Sequence, residues 1–370
     1  MKRLIALMLC IIIFSSALTG CTDKITAPAA ESVTAQTEAA VTEDSPATEE
    51  PSETEPPAVF DPRIIRLSDL ERDEDGTPSD PFPYEETRAP FWCAVSENGG
   101  KLYLLGTIHI GDLRSASVLS RLDDTLAKCD VLVVELDMSS EDVLEEAGKT
   151  LTSDDYMTYA DGTTIKDHIP EELFLKMKAF LERYGLYDVS MDRKNLYYWY
   201  EMIEDIFIYG NDAMKDGVYC IDYFLMEKAN ELGIPVEQME GFAKQIDVVG
   251  NVYETFSEES IISGIEAMID YTDEMFEAFS ERYFDMMDAW YDRDEEYILD
   301  VVKIDKEADK VLVSERNVSM SEKAIEYIES GKTVFIAVGV AHMLGENGIV
   351  QSLRNAGYMV RRSRLVDPVY

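Results

Sequence analysis

The sequence predicts an α/β fold: a central mixed β-sheet with flanking helices and a large helical insertion. Three observations carry this. Two near-identical tetrapeptides, Gly106-Thr107-Ile108-His109 and Gly339-Val340-Ala341-His342, each follow a short apolar run of the kind that forms a buried strand. A third such run, Val131-Leu132-Val133-Val134, ends on Glu135. The C-terminal region then alternates helix, strand, helix and strand, the spacing of a right-handed βαβ crossover.

The elements follow in chain order. Phe91 to Val95 and Lys101 to Leu105 flank Ser96-Glu97-Asn98-Gly99-Gly100, and an Asn-Gly between strand-like runs is a hairpin signal. The second strand delivers His109, with Gly106 expected to let the backbone turn. A helical stretch covers about 115–128 and leads to the Val131 strand. The acidic span 154–310 reads as a mostly helical insertion rich in Tyr, Met and Phe. Within it, Phe276, Phe279, Tyr283, Met287 and Trp290 recur at spacings of three and four, the mark of one core-packed helix face. Asp167-His168-Ile169-Pro170-Glu171-Glu172 is a helix entry, which makes His168 structural. Ile234 to Met239 is a further strand and ends on Glu240. A helix over about 321–329 is terminated by Gly331, the strand Thr333–Val338 leads to His342, a helix over about 347–355 ends at Gly357, and a last strand covers 358–362.

The N-terminus stands apart from this fold. Lys2-Arg3 precede an apolar stretch from Leu4 to Phe14, the pattern of a secretory signal over 1–20. Leu18-Thr19-Gly20-Cys21 resembles a lipobox, which implies cleavage before Cys21, lipidation of its thiol, and an extracytoplasmic protein anchored to a bacterial cell membrane. Residues 21–60 are Thr, Glu, Pro and Ala-rich and suit an acidic, disordered tether. At roughly 5–6 Å × √n such a segment reaches about 35 Å. The remaining 61–370 form the α/β domain, with 61–90 as a polar, Pro-rich arm.

The chain carries a formal charge of −41. Lys2 and Arg3 belong to the signal, and the tether holds nine acidic residues against Lys24, so −35 falls on the domain. A domain this acidic has no basic face for nucleic acid and is repelled by anionic lipid. Five cysteines occur; with Cys10 in the signal and Cys21 lipidated, Cys93, Cys129 and Cys220 remain, too few and too widely spaced for a disulfide scaffold or a thiolate zinc site.

Four strand ends therefore carry chemistry: His109, Glu135, Glu240 and His342. If their strands share a sheet, two imidazoles and a carboxylate with an open position make a catalytic metal set. A metal there lowers the pKa of bound water and polarises a carbonyl. Glu240, if not a ligand, suits a general base. Arg316 precedes the second histidine strand and suits a bidentate grip on a carboxylate or a pairing with an active-site glutamate, against the plainer reading of a surface ion pair. No Gly-rich phosphate loop or GxSxG elbow occurs, which disfavours nucleotide transfer and serine hydrolysis.

The two GxxH elements, with Val133-Val134-Glu135-Leu136-Asp137, Gly217 to Asp222, Met239-Glu240 with Gln245, and Glu315-Arg316-Asn317, resemble the TraB/GumN family, which includes Tiki metalloproteases and pheromone-shutdown proteins. The resemblance spans about 90–363. It implies an α/β fold related to the erythromycin-esterase and ChaN-like group. It also implies divalent-metal-dependent peptide hydrolysis, with manganese, cobalt or zinc held by His109, Glu135 and His342. Glu240 and Arg316 are carried over as catalytic, and Asp222, Gln245 and Asn317 as substrate-binding or site-wall residues. A peptide or protein is then the expected partner. Two other readings stand beside this one: a non-catalytic protein that sequesters a peptide, and an esterase-like hydrolase that uses histidine without metal.

Overall fold

The computed structural model describes residues 89–365 except 110, 112, 152, 154–155, 210–220, 254, 272–283 and 302–308. The signal, Cys21, the tether, nearly all of the arm, Cys220 and the Phe276, Phe279 and Tyr283 part of the aromatic face lie outside the described residues.

A six-stranded mixed sheet organises the molecule. Its strands are β1 (Phe91–Val95), β2 (Lys101–Thr107), β3 (Val131–Val134), β4 (Val236–Gln238), β5 (Thr333–Gly339) and β6 (Met359–Arg362), in the order β4-β3-β5-β2-β1-β6. β4, β3, β5 and β2 run parallel, while β1 is antiparallel to both β2 and β6. β3 and the inner part of β5 are wholly buried and lack alternation, as expected of parallel strands covered on both faces. The hairpin turn forms where Asn98-Gly99 stands: Ser96 N bonds Gly100 O at 2.9 Å, and Gly99 takes φ 94°, open to a residue without Cβ.

Helices cover the sheet and fill the insertion. After β2 come α1 (Leu113–Ser120) and α2 (Asp123–Leu126), where the sequence suggested one helix; a turn at Arg121-Leu122 divides them. After β3 come α3 (Glu141–Leu151), α4 (Ile165–His168), α5 (Glu171–Arg183), α6 (Leu196–Tyr209) and α7 (Ile221–Leu232). His168 stacks on Tyr159 at 3.6 Å between ring centroids and bonds Thr163 Oγ1 at 2.6 Å. After β4 come α8 (Phe242–Tyr253), α9 (Glu258–Ile269), α10 (284–292) and α11 (Glu295–Val301). Among the described residues the insertion returns to the sheet through β4. Trp290 and Met287 on α10 are fully buried, and the Trp290 indole donates to Gly106 O at 2.9 Å.

A π-helical turn (Lys310–Ser314) runs into α12 (Glu315–Glu329), which is longer than its predicted 321–329. Its buried residues Arg316, Asn317, Met320, Ser321, Ala324 and Ile328 form one stripe. The polar start of that stripe is why the apolar pattern read too short a helix. Gly331, at φ 75°, ends the chain's turn into β5. A short α13 (Val340–Met343) carries His342, and α14 (Ile349–Asn355) leads to β6. The β5-to-β6 crossover passes two intervening strands, β2 and β1. Among the described residues no helix is long and apolar enough to cross a membrane.

Candidate functional site

Parallel strands end on one edge, and the four parallel strands here are neighbours. Reading along that edge, β4 leads to Glu240, β3 to Glu135, β5 to His342 and β2 to His109. Strands lie about 4.8 Å apart, so three gaps spread the four groups over about 14 Å at the backbone. The ladder continues beyond the strands, with Glu240 N bonding Glu135 O at 3.0 Å. The side chains then lean together: all four are buried, none more than 7% exposed. The carboxyl ends of parallel strands are where open α/β sheets bind ligands.

Arg316 joins the two carboxylates. Its Nη2 pairs with Glu135 Oε1, its Nε donates to Glu240 Oε2 at 2.8 Å, and Nη2 also lies 2.7 Å from that oxygen. Its Nη1 donates to Leu312 O at 3.0 Å, so the π-helical turn braces the guanidinium from behind. Gln245 Nε2, from α8, donates to Glu135 Oε1 at 3.2 Å and to Glu240 Oε2 at 3.0 Å. Arg316 is 2% exposed, so the surface-pair reading is replaced by that of a buried bridge. Two carboxylates share one guanidinium, which leaves a formal negative charge in a dry site. Glu240 Oε1 has no hydrogen-bond partner among the described residues.

Each imidazole is held at Nδ1. Asn317 Oδ1 accepts from His342 Nδ1 at 2.7 Å, and Asp222 Oδ2 accepts from His109 Nδ1 at 3.1 Å. Asp222 reaches this position from the first turn of α7, and Thr107 Oγ1 donates to its other oxygen at 2.9 Å. A proton on Nδ1 leaves Nε2 of each ring with its lone pair. His342 Nε2 stands 3.8 Å from Glu135 Oε2. A β-carbon added to Gly339 would meet His109 Nε2 at 3.3 Å, Glu135 Oε2 at 3.6 Å and His342 Cδ2 at 3.6 Å. All three groups therefore surround the bare α-carbon of Gly339.

The charges act on one another. Burial works to raise the pKa of Glu135, but Arg316, then His342 and His109, outweigh it and hold the carboxyl well below its usual range. His342 is lowered to about 3 by burial first and then by the Arg316 charge, with Glu135 opposing and His109 adding. A neutral imidazole lone pair thus faces an ionised carboxylate oxygen, with no proton between them near neutral pH. Burial works against the Arg316 charge, yet Glu135 and Glu240 together raise its pKa.

The glycines of the two GxxH elements do not turn the chain, contrary to the sequence reading. Neither Gly106 nor Gly339 has positive φ. They make room instead: a β-carbon on Gly106 would lie 2.9 Å from Val340 Cγ2 and 3.1 Å from Val340 Cα, where β2 meets α13.

The donor chemistry suits a divalent cation, with two imidazole nitrogens, a carboxylate oxygen and an acceptor facing each Nδ1. The spacing is looser than a closed site: among the described residues no three His, Cys, Asp or Glu groups form a ready-made metal-holding set. Every predicted site residue except Cys21 is described and belongs to this cluster. Sequence reasoning passed over Thr107, although it lies inside the first GxxH element, and the brace from Leu312 O, which leaves no side-chain signal.

The sequence model of the TraB/PrgY/gumN family matches residues 91–362, which contain the whole cluster. Two curated relatives, each described as uncharacterized protein YbaP, come from Escherichia coli (strain K12) and Shigella flexneri. Each is 23% identical over 258 residues, covering 68% of this chain and 87% of the relative.

Proposed function

The chain belongs to the TraB/PrgY/gumN family, and from that premise we propose that the buried cluster is the centre of a divalent-metal-dependent hydrolase cleaving peptide bonds, in an extracytoplasmic protein anchored by lipid at Cys21. The observation that carries the reading is the arrangement around Gly339, where both rings are tied at Nδ1 and gathered with Glu135. The likeness of the GxxH elements to those of Tiki-type metalloproteases supports a peptide as substrate.

His109 Nε2, His342 Nε2 and Glu135 Oε2 are the residues that would hold the cation. When bound, manganese, cobalt or zinc supplies Lewis-acid polarisation of a carbonyl and acidifies water. The protein's own groups do the rest. Asp222 and Asn317 fix the ring tautomers. Arg316 and Gln245 each bridge Glu135 and Glu240 and so fix the two carboxylates relative to one another. Glu240 Oε1, without a partner among the described residues, takes the proton of the attacking water and returns it to the departing amine.

A second reading is metal-free hydrolysis, with His109 as base and Asp222 orienting it. It is favoured by the lack of a ready-made metal-holding set among the described residues. One experiment separates the two. The full chain is stripped with chelator, reloaded singly with manganese, cobalt or zinc, and incubated with a peptide library read by mass spectrometry. Cleavage only after reloading, and none in the His109→Ala/His342→Ala double variant, is the expected result. Cleavage that survives chelation selects the metal-free reading. Saturable binding without cleavage under any loading would leave a peptide-sequestering protein.

A further inference from the structure

A cavity of about 800 Å³ lies between α11, α14 and β6. That volume falls within the range of small-molecule sites. The floor is apolar and well packed: Trp92, Met343 and Val350 line it, and each is buried. Asn347, Val350, Gln351, Arg354 and Asn355 follow the i, i+3, i+4, i+7, i+8 rule, so one face of α14 and its approach supplies much of the wall.

The charges of this wall divide into two kinds. Arg362 and Glu295 satisfy each other at 2.6 Å. Arg354 and Glu346 have no counter-ion among the described residues. Among the described residues the Arg354 guanidinium makes two long hydrogen bonds, both of 3.4 Å to Val360 O. The carboxamides of Asn347, Gln351 and Asn355 line the same wall; Gln351 Nε2 donates to Asn355 Oδ1 at 2.9 Å, and each amide keeps further donor or acceptor capacity. The surroundings differ from the rest of the domain: residues 347–366 contain no Asp or Glu, in a chain that has 74 of them.

We propose that this cavity is a second ligand site, for a short peptide with free ends, whose carboxylate is taken by Arg354, whose ammonium is taken by Glu346, and whose amides meet the carboxamide wall. A nucleotide or an anionic lipid would leave Glu346 opposed to like charge, and a purely apolar ligand would leave both ions unpaired. The site is separate from the histidine cluster, although Met343 in its floor directly follows His342 on α13. The proposal does not depend on hydrolysis at that cluster.

The test uses the full chain and the tripeptide Ala-Leu-Ala, followed by saturation-transfer NMR, which also reports whether the peptide stays intact. Three forms are compared: free, N-acetylated and C-amidated. The free tripeptide is expected to saturate, and each blocking group to weaken binding about tenfold or more. Arg354→Gln should weaken the free peptide to the level of the amidated one and make amidation irrelevant. Glu346→Gln should do the same for acetylation. Both positions are exposed, so the variants keep the fold. No saturation up to about 10 mM, or binding indifferent to blocking and to both substitutions, overturns the proposal.

Discussion

Arg316 is the residue on which the cluster balances. It is buried between two carboxylates, and deleting one member of a buried ionic set leaves an uncompensated charge behind. Arg316→Met should therefore destabilise the protein by about 3–5 kcal/mol in urea unfolding. A loss below about 1 kcal/mol would mean that the bridge is not formed in solution. His342 gives a second prediction, for the metal-free protein. Its folded pKa of about 3 lies below the ordinary 6.5, so the unfolded chain binds more protons. Stability from this ring is complete above pH 6.5 and declines as pH falls through the window toward 3. The urea midpoint should drop from about pH 7.5 to about pH 4 in the parent, and less steeply in His342→Gln. Equal slopes in the two would refute the assignment. Comparison with the variant matters because the many surface acids titrate as well.

At the scale of elements, two glycines in like tetrapeptides do different work. Gly106 lies where β2 meets α13, so the methyl of Gly106→Ala must push against the side chain and α-carbon of Val340. It should cost about 1–3 kcal/mol of stability. Gly339 faces side chains of the cluster, at 3.3–3.6 Å from an added β-carbon, and its backbone suits alanine. Gly339→Ala should unfold within about 1 kcal/mol of the parent yet lose metal uptake and hydrolysis. Unfolding midpoints and metal content, measured on both variants, check the contrast; the reverse pattern would sink it. The repeated GxxH was legible as a site signal, but the purpose of its glycine was not. A tetrapeptide shows that a side chain is missing without showing what would occupy its place. Likewise α12 was read too short, because its first buried residues are Arg316 and Asn317, polar groups that break an apolar periodicity while still facing inward.

For the whole molecule, two predictions concern its charge and the proposed lipid anchor. The domain carries most of a formal charge of −41, so self-repulsion opposes the compact state. Raising salt from about 0.01 M to about 0.15 M shortens the Debye length from about 30 to about 8 Å, and Tm should rise with it; a flat or falling Tm would show that the acids are already compensated locally. Cys21→Ser should abolish incorporation of labelled fatty acid and move the protein from the membrane to the soluble fraction, and retention of the label would overturn the lipoprotein reading. By itself the sequence determined the kinds of element, most of their bounds and which polar residues stand at the strand ends, because periodicity, turn residues and strand-terminal polar groups are local. The strand order β4-β3-β5-β2, which lines Glu240, Glu135, His342 and His109 along one edge, was decided only by the tertiary structure. So was the Arg316 bridge between two glutamates 105 positions apart in the chain. Which strand lies beside which depends on how helices pack over the sheet, and no window of the sequence contains that information.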